Sequence, residues 1–136
     1  MGSDKPRVQT PKNNKGCTSL HIAVEKNHIP LCKFNLNKVE DANPKNNQWI
    51  TPLHRAAFLG HLGVFDLIIN KISDIQPRDK LGKTPLHLAS KSGHLKVCQT
   101  ILNIVKNKNP TSNNGTDHTK HLLFVHENIA HVQYEY

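Results

Sequence analysis

Residues 51–61 read Thr51-Pro52-Leu53-His54-Arg55-Ala56-Ala57-Phe58-Leu59-Gly60-His61. The Thr51 hydroxyl is suited to cap a helix N-terminus by accepting a bond from a first-turn amide. Pro52 then takes the first helical position, where a missing N–H costs nothing. Leu53, Ala56 and Ala57 stand at i, i+3 and i+4 and share one face of a short helix. The alanines are small enough to let a neighbouring helix approach closely. A second helix begins after Gly60-His61 and carries Leu62, Val64, Phe65, Leu67, Ile68 and Ile69. It is apolar nearly all round, as suits a helix sandwiched in a stack.

The same stretch occurs on both sides. TSLH stands at 18–21 and TPLH at 84–87, each 33 residues from the TPLH at 51–54. Thr18, Leu20 and His21 thus correspond to Thr51, Leu53 and His54, and to Thr84, Leu86 and His87, with Pro85 matching Pro52. Ala23, Ala56 and Ala89 keep the step, as do His28, His61 and His94, and Asn37, Asn70 and Asn103. Pro11, Pro44, Pro77 and Pro110 extend the register beyond both outer motifs. The third unit repeats the apolar second helix with Leu95, Val97, Cys98, Ile101 and Leu102. Helices of eight to ten residues are marginal alone in water, so stacking must stabilise them. Three units are about the minimum for that.

A 33-residue period carrying T-P-L-H-x-A resembles the ankyrin repeat, over about residues 10–116. The resemblance implies an all-α repeat solenoid: helix-turn-helix units with short β-hairpin fingers, stacked around a concave face. It also implies that the TPLH histidine hydrogen-bonds backbone between neighbouring units. The expected organisation is a disordered segment at 1–9, then a repeat domain at 10–115 with units at about 13–45, 46–78 and 79–111. Residues 116–136 are either a degenerate C-terminal cap or a frayed tail.

Three departures stand out. The finger glycine is Gly16, Gly82 and Gly115 elsewhere, but Trp49 in the second unit. A tight-turn glycine usually supplies positive φ, which a large side chain resists. Either this finger bends differently or it carries strain, and the chain's only tryptophan sits at an exposed tip. Asn35 falls where the other units have Ile68 and Ile101. A polar residue there is tolerable if its helix lies on the open end of the stack, which makes the first unit an N-terminal cap. Finally, the register fails after Gly115, where 117–120 reads Asp-His-Thr-Lys.

Composition narrows the class. Eighteen Lys and Arg against ten Asp and Glu leave a formal charge of +8, which favours acidic partners. Hydrophobic residues are 36% and aromatics 5%, lean for a single-centred core but suited to units that bury surface against their neighbours. Cys17, Cys32 and Cys98 show no framework spacing, so a reducing compartment, cytoplasm or nucleus, is expected. Neither a membrane span nor a secretory signal is visible.

The histidines invite a metal reading, because Cys17-x3-His21 and His28-x3-Cys32 have ligand-like spacings. The repeat explains His21 and His28 better, since His54, His61, His87 and His94 recur without cysteines. No metal and no other cofactor is expected. The carboxylates Glu25, Glu40, Asp41, Asp66, Asp74 and Asp79 are scattered, and no phosphate loop or nucleophile motif is visible. Enzyme activity is not expected.

The ankyrin resemblance implies contact with partners through the finger tips and the exposed end of each first helix. In the first unit these positions are Asn14, Lys15 and Cys17, then Glu25 and Lys26. In the second they are Lys45, Asn47, Gln48, Trp49 and Ile50, then Phe58 and Leu59. The third supplies Arg78, Lys80, Leu81 and Lys83, then Lys91 and Ser92. Phe58 and Leu59, with Trp49 and Ile50, are expected to form an apolar patch rimmed by Lys45, Arg78, Lys80 and Lys83. Aromatic anchors inside a charged rim mark interface hot spots. The bland alternative is that Phe58 and Leu59 partly pack between units.

The expected function is therefore a monomeric protein-interaction module, a regulator or adaptor whose partner presents an acidic segment. Binding of nucleic acid or an anionic surface through the basic face is an alternative. It is disfavoured because no nucleic-acid motif is present and the aromatics form no stacking row. A further alternative is a truncated piece of a larger array.

Overall fold

A computed structural model of the chain describes residues 11–108. The expectations for residues 1–9 and 116–136 lie outside the described residues. Six helices follow in order: α1 (Ser19–Glu25), α2 (Ile29–Lys38), α3 (Pro52–Leu59), α4 (Leu62–Ile69), α5 (Pro85–Ser92) and α6 (Leu95–Lys108). They form three pairs. First helices pack on first helices, α1 on α3 and α3 on α5, while α4 lies between α2 and α6. The result is a two-layer, all-α repeat stack, with no strand among the described residues. No described helix is long and apolar enough to cross a membrane.

The local sequence accounts for the helix ends. Thr51 caps α3 and Thr84 caps α5, each accepting from the amide of the TPLH histidine, at 3.2 Å from His54 and 3.3 Å from His87. Pro52 and Pro85 open the two helices. Gly60 and Gly93 close them in left-handed conformation at φ +73° and +79°, the usual glycine helix stop. The first unit puts Asn27 there at φ +54°, and asparagine is among the few side chains that tolerate this region.

The core runs along the seam between the layers. Ala23, Ala56 and Ala89 are wholly buried, as are Leu53, Ala57, Val64, Phe65 and Ile68 of the middle unit. Methyl-sized side chains at the first-helix seam permit the close approach of α1, α3 and α5. The first unit shows its position on the end of the described stack. Leu31 corresponds to the fully buried Val64, yet it is 41% exposed. Asn35, in the Ile68 position, is half-buried and accepts from the Ser19 hydroxyl at 3.3 Å. The polar substitution thus falls at a half-buried position of α2, where Oδ1 is paired but Nδ2 is buried without a hydrogen-bond partner, so its cost is only partly offset.

Candidate functional site

The fingers are closed turns rather than paired strands. Each is pinned by one exchange of backbone bonds. In the second finger Asn46 N–H donates to Ile50 O and Trp49 N–H donates to Asn46 O, both at 2.9 Å. Side chains replace the ladder that a longer hairpin would need. Asn46 Oδ1 accepts from the amides of Gln48 and Ile50 at 2.8 and 2.9 Å. Asn13 does the same for Lys15 and Cys17, and Asp79 for Leu81 and Lys83. Neighbouring fingers are tied in a row, because Asn47 N–H donates to Lys15 O at 2.9 Å and Lys80 N–H to Gln48 O at 3.1 Å.

Trp49 keeps the bend of its glycine counterparts. Its φ is +61°, beside +77° at both Gly16 and Gly82. The second finger therefore carries strain, since a side chain in the left-handed region costs roughly 1–2 kcal/mol. The indole is 49% exposed, and the Lys45 ammonium sits 4.8 Å from its ring centre.

The fingers are fixed to the helices by the motif histidines. His54 Nδ1 accepts from Thr51 N–H at 3.1 Å, and Nε2 donates to Lys83 O of the next finger at 2.9 Å. His21 repeats this with Thr18 N–H at 3.0 Å and Ile50 O at 2.8 Å. In the third unit His87 Nδ1 accepts from Thr84 N–H at 3.1 Å. An acceptor nitrogen facing an N–H and a donor nitrogen facing a carbonyl define the neutral ring. Burial pushes the pKa of all three histidines below the ordinary 6.5. Both ring nitrogens of His21 are thus committed to the scaffold. Further along, His94 Nε2 donates to Phe58 O at 2.9 Å, which fixes the end of α3.

Three capped turns and three Thr–His contacts within units, with two histidine bridges between units, make a repeating scaffold. A family model described as "Ankyrin repeats (3 copies)" matches residues 3–79 and 20–114. The chain belongs to the ankyrin-repeat family. No curated protein matches it significantly.

On the ankyrin frame the residues named for partner contact fall into two groups. Lys15, Lys26, Lys45, Gln48, Trp49, Phe58, Arg78, Lys80, Leu81 and Lys91 are exposed, with Leu81 reaching 80%. Ile50, Leu59 and Lys83 are half-buried; the carbonyls of Ile50 and Lys83 also serve the histidine bridges. Cys17 is a correction. It is buried at the base of its finger, where Asn46 Nδ2 donates to its sulfur at 3.6 Å, so it offers no contact surface. The three thiols are free and buried. Burial raises the pKa of Cys32, and that of Cys98 to about 11, which makes both poor nucleophiles.

Sequence reasoning missed two features. The finger-capping residues Asn13, Asn46 and Asp79 keep the 33-residue step, a signal that was available. The second is the first-helix position after the motif histidine, occupied by Ile22, Arg55 and Leu88. Ile22 is exposed, and the other two are half-buried. Their exposure was not legible, because this position sits next to fully buried ones on the same helix.

Proposed function

We propose that this chain is a protein-interaction module that grips a partner segment across its finger tips and the open ends of α1, α3 and α5, anchored by Trp49 and Phe58. Ankyrin repeats as a class are protein-interaction modules. The observation that carries the finer reading is the backbone at Trp49. Two other fingers place glycine in this left-handed position at no steric cost. Here an indole is held exposed in spite of that cost, and retained strain of this kind points to function. Phe58, 45% exposed, and Leu81 add apolar surface. Lys15, Lys45, Arg78, Lys80 and Lys91 are exposed on the fingers and on α5, and their positive charge favours an acidic partner segment. A regulatory or adaptor role in a reducing compartment fits this surface, and the three buried free thiols are compatible with such a compartment.

The test is recovery of partners on immobilised protein, comparing the natural sequence with Trp49→Ala and Phe58→Ala. Unchanged recovery by both variants removes the anchor assignment. A parallel titration with a short DNA duplex separates the nucleic-acid reading, because that complex should weaken steeply with added salt.

A further inference from the structure

A hollow of about 350 Å³ lies between the first finger and α1, lined by Asn13, Asn14 and Lys15, by Ile22 and Glu25, and by Arg55 from α3 of the next unit. It is separate from the Trp49 and Phe58 anchor. Ile22 presents an aliphatic side chain that is 41% exposed. Arg55 is half-buried, and no described carboxylate forms an ion pair with it. Lys12 and Arg55 both lie close enough to His21 to oppose its protonation. Lys12, Lys15 and Arg55 outweigh Glu25 at this end of the inner face.

We propose that this hollow receives the carboxylate of an aspartate or glutamate side chain from the partner, held by Arg55 and Lys15, with Ile22 packing on its methylene carbons. The chemistry suits the residues. A guanidinium matches a carboxylate with two parallel bonds, and partial burial strengthens the pairing relative to open water. The site rests on the interaction-module reading but adds a spacing rule. Adjacent packed helices stand roughly 8–10 Å apart, and an extended chain advances about 3.3 Å per residue. Because Arg55 shares α3 with Phe58 while the hollow reaches across to α1, the acidic residue of an extended ligand should lie about two to three positions from the apolar residue that meets Phe58.

The test is selection of peptides from a random display library on the full chain, followed by affinity measurement of the recovered peptides. The expected ligands carry an acidic residue about two to three positions from an aromatic or aliphatic one. Replacing that acid by its amide should weaken binding roughly tenfold. The same replacement should have little effect on the Arg55→Gln variant, so the two changes are coupled. Ligands without an acid preference, or an acid-to-amide loss that persists in Arg55→Gln, overturn the pocket. If Arg55→Gln fails to fold, Arg55→Lys serves instead and should bind the acidic peptide more weakly, because it loses the forked geometry. Failure of the pocket is distinguishable from failure of the anchor. Peptides lost with Phe58→Ala but indifferent to the acid keep the anchor alone, and peptides coupled to Arg55 but indifferent to Phe58→Ala and Trp49→Ala keep the pocket alone.

Discussion

His54 Nε2 donates to the backbone carbonyl of Lys83, 2.9 Å away and in the next repeat. His54 is fully buried, and its other ring nitrogen accepts from its own unit through Thr51 N–H. One imidazole thus joins the capped start of α3 to the third finger. His54→Ala would leave the Lys83 carbonyl and the Thr51 amide without this partner and open a cavity. The expected loss is about 2–4 kcal/mol, read from the shift in the urea midpoint. A loss well under 1 kcal/mol would mean that water replaces the ring without penalty.

The same bridges make stability depend on pH. In the folded chain burial lowers the pKa of His21, His54 and His87, whereas the unfolded chain titrates near 6.5. Above 6.5 both states carry neutral rings and the histidines add no slope. As pH falls below 6.5 the unfolded state takes up protons first, so stability declines until the folded pKa values are reached. Urea midpoints between pH 8 and pH 5 should be level at the upper end and fall towards the lower. His54→Gln should show a shallower decline. A profile that stays flat down to pH 5 would refute the assignment.

Gly60 and Gly82 share the left-handed conformation but not their surroundings. A Cβ on Gly60 would collide with the ring of His94, while one on Gly82 would meet nothing within 4 Å. Gly82→Ala should therefore cost only the conformational penalty, roughly 1 kcal/mol. Gly60→Ala should cost clearly more, because it also displaces the ring that bonds Phe58 O. Thermal or urea unfolding of the two variants checks the order. Equal losses would show that His94 moves aside freely.

Trp49 should trade stability against binding. Trp49→Gly removes a left-handed side chain, and the gain is expected to be up to about 1 kcal/mol, less the exposed contact with Lys45, worth roughly 0.5–1 kcal/mol. Trp49→Ala keeps a Cβ in the same bend and should gain nothing. Both variants should lose partner binding. Denaturation of the pair, set beside partner capture, separates backbone strain from the indole. A glycine variant no more stable than the alanine variant would show that the turn is unstrained.

The sequence by itself determined the repeat, the six helices and their caps. Those features rest on contacts within one unit or on the 33-residue step that Thr51, Pro52 and His54 share with their counterparts. A residue that must cap a helix or fill a seam recurs because the local geometry recurs. The Asn13, Asn46 and Asp79 caps belong to the same class, legible in principle though overlooked. Tertiary structure decided what the period cannot express. It showed that Trp49 adopts the glycine bend rather than a different one, because bonds from Asn46 and the neighbouring fingers hold the turn. It buried Cys17 against Asn46 of the next unit, and it brought Arg55 across to the hollow beside Ile22. The last two depend on side chains 29 and 33 residues apart, and the first on backbone bonds between fingers as well as on Asn46, all placed by the stacking of whole units and not by any preference of single residues.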